Sequence, residues 1–383
     1  MSRIKSKYIY GLTATPIRKD GHYRIIFMYC GPERFKIDAK KMALERSFEH
    51  YIVPRFSSCR KPLYQLDEEW HISDVMKHIC DNSARNDMIV SDIDALIEEG
   101  KKPIILTERS SHIENLRNQM VNKPYEIIEL SGRLKAKERK EALESIRKRN
   151  HNQKLVIIAT GKLVGEGFDV PWLDTLILAM PIAWKGTIAQ YAGRLHRESE
   201  GKNEVCVYDY VDVHINVLAK MYSKRLTAYK SLGYKVKPSG TRSDSGDEIF
   251  SNDKYFESFC QDIKQSSKVI IIVSPFIQKN KIESIKETLY SKFHEGIRVV
   301  VCIKEIDEYK DSTKKMMHKI YSDLEKNGID VIQIQGLTYK FAIFDDEIVW
   351  YGGIDLLAGN RTTDSVIRIV SGALANELYG AIE

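Results

Sequence analysis

In the stretch QYAGRLHR, Gln190, Gly193, Arg194 and Arg197 stand at i, i+3, i+4 and i+7 and share one face of a helix. Two guanidiniums side by side suit phosphate chemistry, because each offers a planar fork of donors and stays charged. Glycine inside a helix is less favourable than alanine by about 1 kcal/mol, so Gly193 suggests a close backbone approach. A solvated basic helix face accounts for the same letters. A second stretch, IATGKLVGEGFDVP at 158–171, leaves an apolar strand through Gly161, Gly165 and Gly167, with Glu166 and Asp169 beside them. Glycines there let backbone N–H groups come close to a phosphate or sugar. An acid there accepts a bond from a ribose hydroxyl or orients an arginine. A strand-to-helix turn that needs positive φ uses the same residues.

These stretches need a frame to hold them. The chain has 383 residues, 43% hydrophobic and 29% charged, which is ordinary for a soluble protein with room for two or three domains. A formal net charge of +6 permits a nucleic-acid partner without requiring one. The six cysteines form no C-x-x-C pair and have no histidines at zinc-ligand spacing, so they read as reduced thiols and no metal site is expected. The N-terminus lacks the apolar core of a signal peptide, and no apolar run reaches the ~18 residues that span a bilayer. A cytoplasmic protein is expected.

From about 72 to 215, apolar runs such as KPIILTE, YEIIELSG, KLVIIATG, TLILAMP and EVCVYDYVD are separated mainly by amphipathic helical patterns. Such alternation predicts an α/β fold with a doubly wound parallel sheet. Residues 216–250 carry a basic helix and then KPSGTRSDSGDE, which reads as a linker. A second α/β unit follows from about 251 to 383.

Four stretches in this order, GLTATP (11–16), PIILTER (103–109), ATGKLVGEGFDVP and QYAGRLHR, resemble the second half of a superfamily-two (DEAD/DEAH-type) helicase, nearest its restriction-subunit and repair branch. The resemblance covers about residues 1 to 215. It implies a remnant of a first RecA-like domain over 1–50 and a second RecA-like, helicase C-terminal domain over 51–215. It implies that Arg194 and Arg197 are arginine fingers reaching the γ-phosphate of ATP, with Gln190 beside them. Gly165, Glu166, Gly167, Asp169 and Gly193 would line the nucleotide. Thr13, Ala14, Thr15, Arg109 and Thr160 would contact nucleic acid or couple it to the ATP cleft.

Such hydrolysis also needs a phosphate loop, G-x-x-x-x-G-K-[ST], and an acidic stretch that holds Mg²⁺. Neither is in the sequence: GKLVGEG lacks the G-K-[ST] ending, and LDEEW at 66–70 follows no apolar strand. The expectation is a split or truncated helicase, or a module lending its arginines to a partner chain, with the ligands for ATP and Mg²⁺ lying elsewhere.

The stretch GLTYKFAIFDDEIVWYGGID, 336–355, resembles the phospholipase D signature H-x-K, four residues, D, six residues, G-[SG]-x-N. Lys340 and Asp345 match it. Thr338 stands at the position of the nucleophilic histidine, and Asp355 at that of the asparagine. A threonine hydroxyl is a weak nucleophile without an activating base. The resemblance therefore implies an inactive phospholipase D-like domain over 251–383, with a homodimer through it as one partner arrangement. The whole reads as part of an ATP-dependent DNA helicase or translocase, with RNA as the other substrate, in a bacterial restriction or repair setting. The alternative is a nucleic-acid-binding or assembly module without enzymatic role, using the basic helix at 216–235 and Lys340.

Overall fold

The computed structural model describes residues 8–12, 23–35, 39–61, 70–148, 153–161, 168–182, 191–237, 247–251, 254–358 and 364–382. Two seven-stranded sheets organise them. The first contains β1 (Glu49–Ser57), β2 (Pro103–Thr107), β3 (Glu126–Leu130), β4 (Leu155–Thr160), β5 (Thr175–Leu178), β6 (Glu204–Asp212) and β7 (Lys235–Val236). Their order is β3-β4-β2-β5-β6-β1-β7, and every pairing is parallel. The strands PIILT and TLIL are buried at every position, as a sheet covered on both faces requires. Helices Ser83–Glu98 and Ser110–Met120 cover one face, setting Ile93, Leu96 and Leu116 against Ile105, Ile158 and Ile177. This is the expected doubly wound sheet.

Strand β1 has no clear sequence signature because Pro54 interrupts it. It nevertheless pairs with β6 over its full length, from Glu49↔Glu204 to Ser57↔Asp212. On its other side β7 reaches only Tyr51 and Ile52. Pro54 therefore lies beyond β7, where a missing N–H leaves no ladder bond unmade.

The second sheet contains β8 (Glu248–Ser251), β9 (Val269–Val273), β10 (Arg298–Lys304), β11 (Asp330–Ile334), β12 (Phe341–Phe344), β13 (Ile348–Gly352) and β14 (Ser365–Val370). Its order is β11-β10-β9-β12-β13-β14-β8, parallel from β9 to β11 and antiparallel through β12, β13, β14 and β8.

The helix Asn216–Ser231 packs against β6 of the first sheet and against β8, β13 and β14 of the second. One apolar cluster runs through Val207, Tyr222, Leu226, Tyr351 and Ile367, so the two sheets share a core. The helix is thus a structural wedge and only partly a basic surface. Lys220 and Lys224 face outward, but Arg225 is buried in an ion pair with Asp209 at 2.7 Å. Most of the expected linker, 238–246, lies outside the described residues. Among the described residues no helix is long and apolar enough to cross a membrane.

Candidate functional site

The C-terminal end of β4 carries Thr160 and then Gly161. Parallel register sets Thr160 beside Thr107 of β2, two residues before Arg109. A Cβ at Gly161 would collide with the Tyr191 hydroxyl, so Gly161 leaves the room in which the Tyr191 side chain, from the helix at 191–195, packs on the strand end. Burial pushes the Tyr191 hydroxyl up to about 12, with the charge of Glu108 adding to it. The tight contact at Gly161 is with a side chain and is not the backbone approach expected at Gly193. At Gly193 a Cβ would meet nothing within 4 Å.

After the turn, Phe168 and Val170 are buried and anchor the chain. Asp169 between them points outward and meets Arg197, Oδ1 to Nε 3.3 Å. Arg194 Nη1 donates to the Phe168 carbonyl at 3.1 Å. On the opposite side of the same turn, Tyr191, Ala192 and Leu195 enter the core. The fold therefore brings Arg194, Arg197 and Asp169 together, with Gly193 on the open side. Arg109 is held elsewhere: its Nη2 donates to the Ser73 carbonyl at 2.9 Å. Gly165, Glu166, Gly167, Gln190, Thr13, Ala14 and Thr15 lie outside the described residues.

Sequence reasoning missed the groups that fix this arrangement. Lys202 Nζ donates to the carbonyls of Pro171, Leu195 and Arg197 at 2.6, 2.9 and 2.9 Å. His196, inside QYAGRLHR, turns inward and meets the Tyr234 hydroxyl at 2.8 Å. Burial, helped by Arg46, His50 and Lys202, lowers its pKa to about 2. Residues 179–182, which follow β5, are held by two buried pairs. Arg85 bonds Asp212 at 2.9 Å and the Ala179 carbonyl at 2.7 Å. Arg225 bonds Asp209 and the Ile182 carbonyl at 3.1 Å. The only available sequence signal was two aspartates, Asp209 and Asp212, in the C-terminal half of the apolar strand β6.

In the second sheet the signature residues separate. Lys340 precedes β12 and Asp345 follows it, at opposite ends of the strand. Asp345 lies in a turn at φ 54° and accepts from the N–H groups of Ser267, Lys268 and Val269 at 2.9, 2.7 and 3.2 Å. Burial pushes its carboxyl up, but these bonds outweigh it and leave the carboxyl below its ordinary value. Its place is that of a turn anchor, away from Thr338 and Lys340. Lys340 instead meets Asp355, Nζ to Oδ2 2.9 Å, and the Gly353 carbonyl at 3.1 Å. The Thr338 hydroxyl donates to Asn216 at 2.8 Å, at the start of the wedge helix. Among the described residues no cluster of three histidine, cysteine or acidic side chains is placed to hold a metal ion.

The region that holds β2 to β5 and both arginines has a family likeness. Residues 87–199 match the helicase conserved C-terminal domain, and the chain is helicase-like in carrying it. Over 239 residues it is 24% identical to a candidate ATP-dependent RNA helicase of Acanthamoeba polyphaga mimivirus, covering 61% of this chain and 44% of that protein. Over 243 residues it is 27% identical to a candidate helicase of Invertebrate iridescent virus 6, covering 61% of this chain and 52% of that protein. The chain thus spans about half the length of the curated relatives it matches. Among solved structures it resembles T4 UvsW at a TM-score of 0.40 and 18% identity, over 50% of this chain and 41% of that one. Both relatives are viral, so the bacterial restriction or repair setting gains no support from them.

Proposed function

We propose that this chain supplies the arginine-finger side of an ATP-driven helicase or translocase acting on DNA, with RNA as the other nucleic acid. The observation that carries the reading is the pairing of Arg197 with Asp169 and of Arg194 with the Phe168 carbonyl, inside the helicase C-terminal domain. Two guanidiniums, Arg194 within the short helix 191–195 and Arg197 in the bend after it, fit the outer oxygens of a nucleotide phosphate. Asp169 fixes the direction of Arg197, and the Phe168 carbonyl holds Arg194 beside it. Arginines so placed stabilise the charge that develops in phosphoryl transfer and are worth ~10³–10⁵ in rate. The donor set fits only the outer side of ATP, because no phosphate loop stands in the sequence. ATP with Mg²⁺ would be held mainly by residues of the longer protein or of a partner chain.

The second sheet fits a phospholipase D-like domain without nuclease activity. Lys340 faces Asp355 where the family has asparagine, so its charge is spent within the chain. The rival reading, a nucleic-acid-binding module without catalysis, keeps the outward-facing Lys220 and Lys224 of the wedge helix but not Arg225, which is buried, while Lys340 is paired with Asp355. The test is ATP turnover with and without DNA. The chain alone is expected to show none above an Arg197→Ala control. With the phosphate-loop segment supplied, wild type is expected to exceed Arg197→Ala by ~10³ or more. Equal rates in that assembly would refute the reading.

A further inference from the structure

Three links join the turn at 168–171 to the turn at 194–197, and they differ in strength. The Arg197–Asp169 pair is about half exposed on both sides, and such surface pairs contribute ~0–1 kcal/mol. Arg194 Nη1 reaches the Phe168 carbonyl at 3.1 Å, a bond from a half-buried side chain. Lys202 spends all three ammonium donors on three backbone carbonyls, at 2.6, 2.9 and 2.9 Å. Two of those carbonyls, of Leu195 and Arg197, end the arginine-bearing turn. The third, of Pro171, closes the stretch that carries Asp169. Its ammonium also lies over the Phe48 ring, 5.5 Å from the centroid.

We propose that Lys202 is a positioning residue for the arginine fingers, clamping the backbone of Arg197 to the segment that carries Asp169. This rests on the arginine-finger reading for its functional meaning, but the clamp can be tested without it. A charged lysine is needed, because a neutral amine has one donor fewer and turns a lone pair toward the carbonyls. Facing Lys202 are Asp174, Lys102 and His196. Burial lowers the Lys202 pKa to about 8; Lys102 adds to this and Asp174 opposes it. Below pH 8 Lys202 is therefore the ammonium form that can donate to all three carbonyls.

Hydrogen exchange on the full chain tests the clamp in wild type, Lys202→Met and Lys202→Arg. At pH 7, Lys202→Met should raise exchange at amides 191–197 and 168–173 at least tenfold, and Lys202→Arg less. Unchanged exchange in Lys202→Met would overturn the proposal. If Lys202→Met does not fold, Lys202→Gln takes its place in the comparison, and equal exchange in Lys202→Gln and wild type would overturn the proposal. Turnover in the assembly that holds the phosphate loop separates the two readings. There Lys202→Met should lower kcat at least tenfold and leave KM within twofold. If Arg197→Ala leaves turnover intact, the finger reading fails and the exchange result still stands. If Arg197→Ala abolishes turnover while Lys202→Met does not lower it, the positioning role fails.

Discussion

Lys340 Nζ lies 2.9 Å from Asp355 Oδ2, and Ser274 Oγ reaches the other oxygen of that carboxylate at 3.2 Å. A lysine that should bind phosphate is thus neutralised by the residue at its own signature's asparagine position. Restoring the nucleophile alone, by Thr338→His, is expected to give no metal-independent cleavage of DNA. Plasmid nicking by Thr338→His, absent from Thr338→Ala, would show that the pairing does not silence the site.

The Arg225–Asp209 pair is ~1% exposed on each side and holds the wedge helix to β6. Breaking a buried pair by removing one partner costs about 3–5 kcal/mol, because the other charge is left uncompensated. Arg225→Met is expected to lower stability by that amount. Arg225→Met combined with Asp209→Leu should recover at least half of the loss. Urea unfolding midpoints at a constant slope check both, and equal losses in the single and double variants would contradict this account.

The two glycines of the site should respond in opposite directions. Gly161→Ala drives a methyl into the Tyr191 hydroxyl and is expected to lower Tm by several degrees. Gly193→Ala enters open space on a helical turn and should stabilise by up to ~1 kcal/mol. Thermal melts of the two variants are sufficient. A stabilised Gly161→Ala would mean that strand and helix are not packed as described.

Acid should unfold the first sheet through its buried imidazoles. His112 Nδ1 meets the Thr107 hydroxyl and Nε2 meets Asn86 Oδ1, both at 3.0 Å. Burial, with Arg85 adding to it, lowers its pKa to about 3. Burial and Arg46 likewise lower His50 to about 4. The unfolded chain takes up these protons near 6.5, so the stability they allow is complete above 6.5 and is lost as pH falls. His50 alone should account for on the order of 3 kcal/mol between pH 6.5 and 4. His50→Gln is expected to flatten the fall of Tm across that interval. An unchanged slope would remove His50 from the account.

Much of this was legible in the sequence, because it depends on local pattern. Continuous apolar runs such as PIILT and LVIIAT can only be strands covered on both faces, and the alternation of helix and strand fixes the parallel sheet. The helical spacing of Gln190, Gly193, Arg194 and Arg197 predicted one shared face, but the helix ends at 195 and Arg197 follows it in a bend, turned to Asp169. What the sequence could not decide was where charges end up. Arg225 looked like a surface cation and is buried against Asp209. Asp345 looked like part of a catalytic set and anchors a turn at the far end of its strand. Lys202 carried no signal at all, since its three partners are backbone carbonyls, which are the same at every residue. Sequence letters record which groups are available, whereas burial and pairing depend on which segments meet across the fold, and only the packed chain determines that.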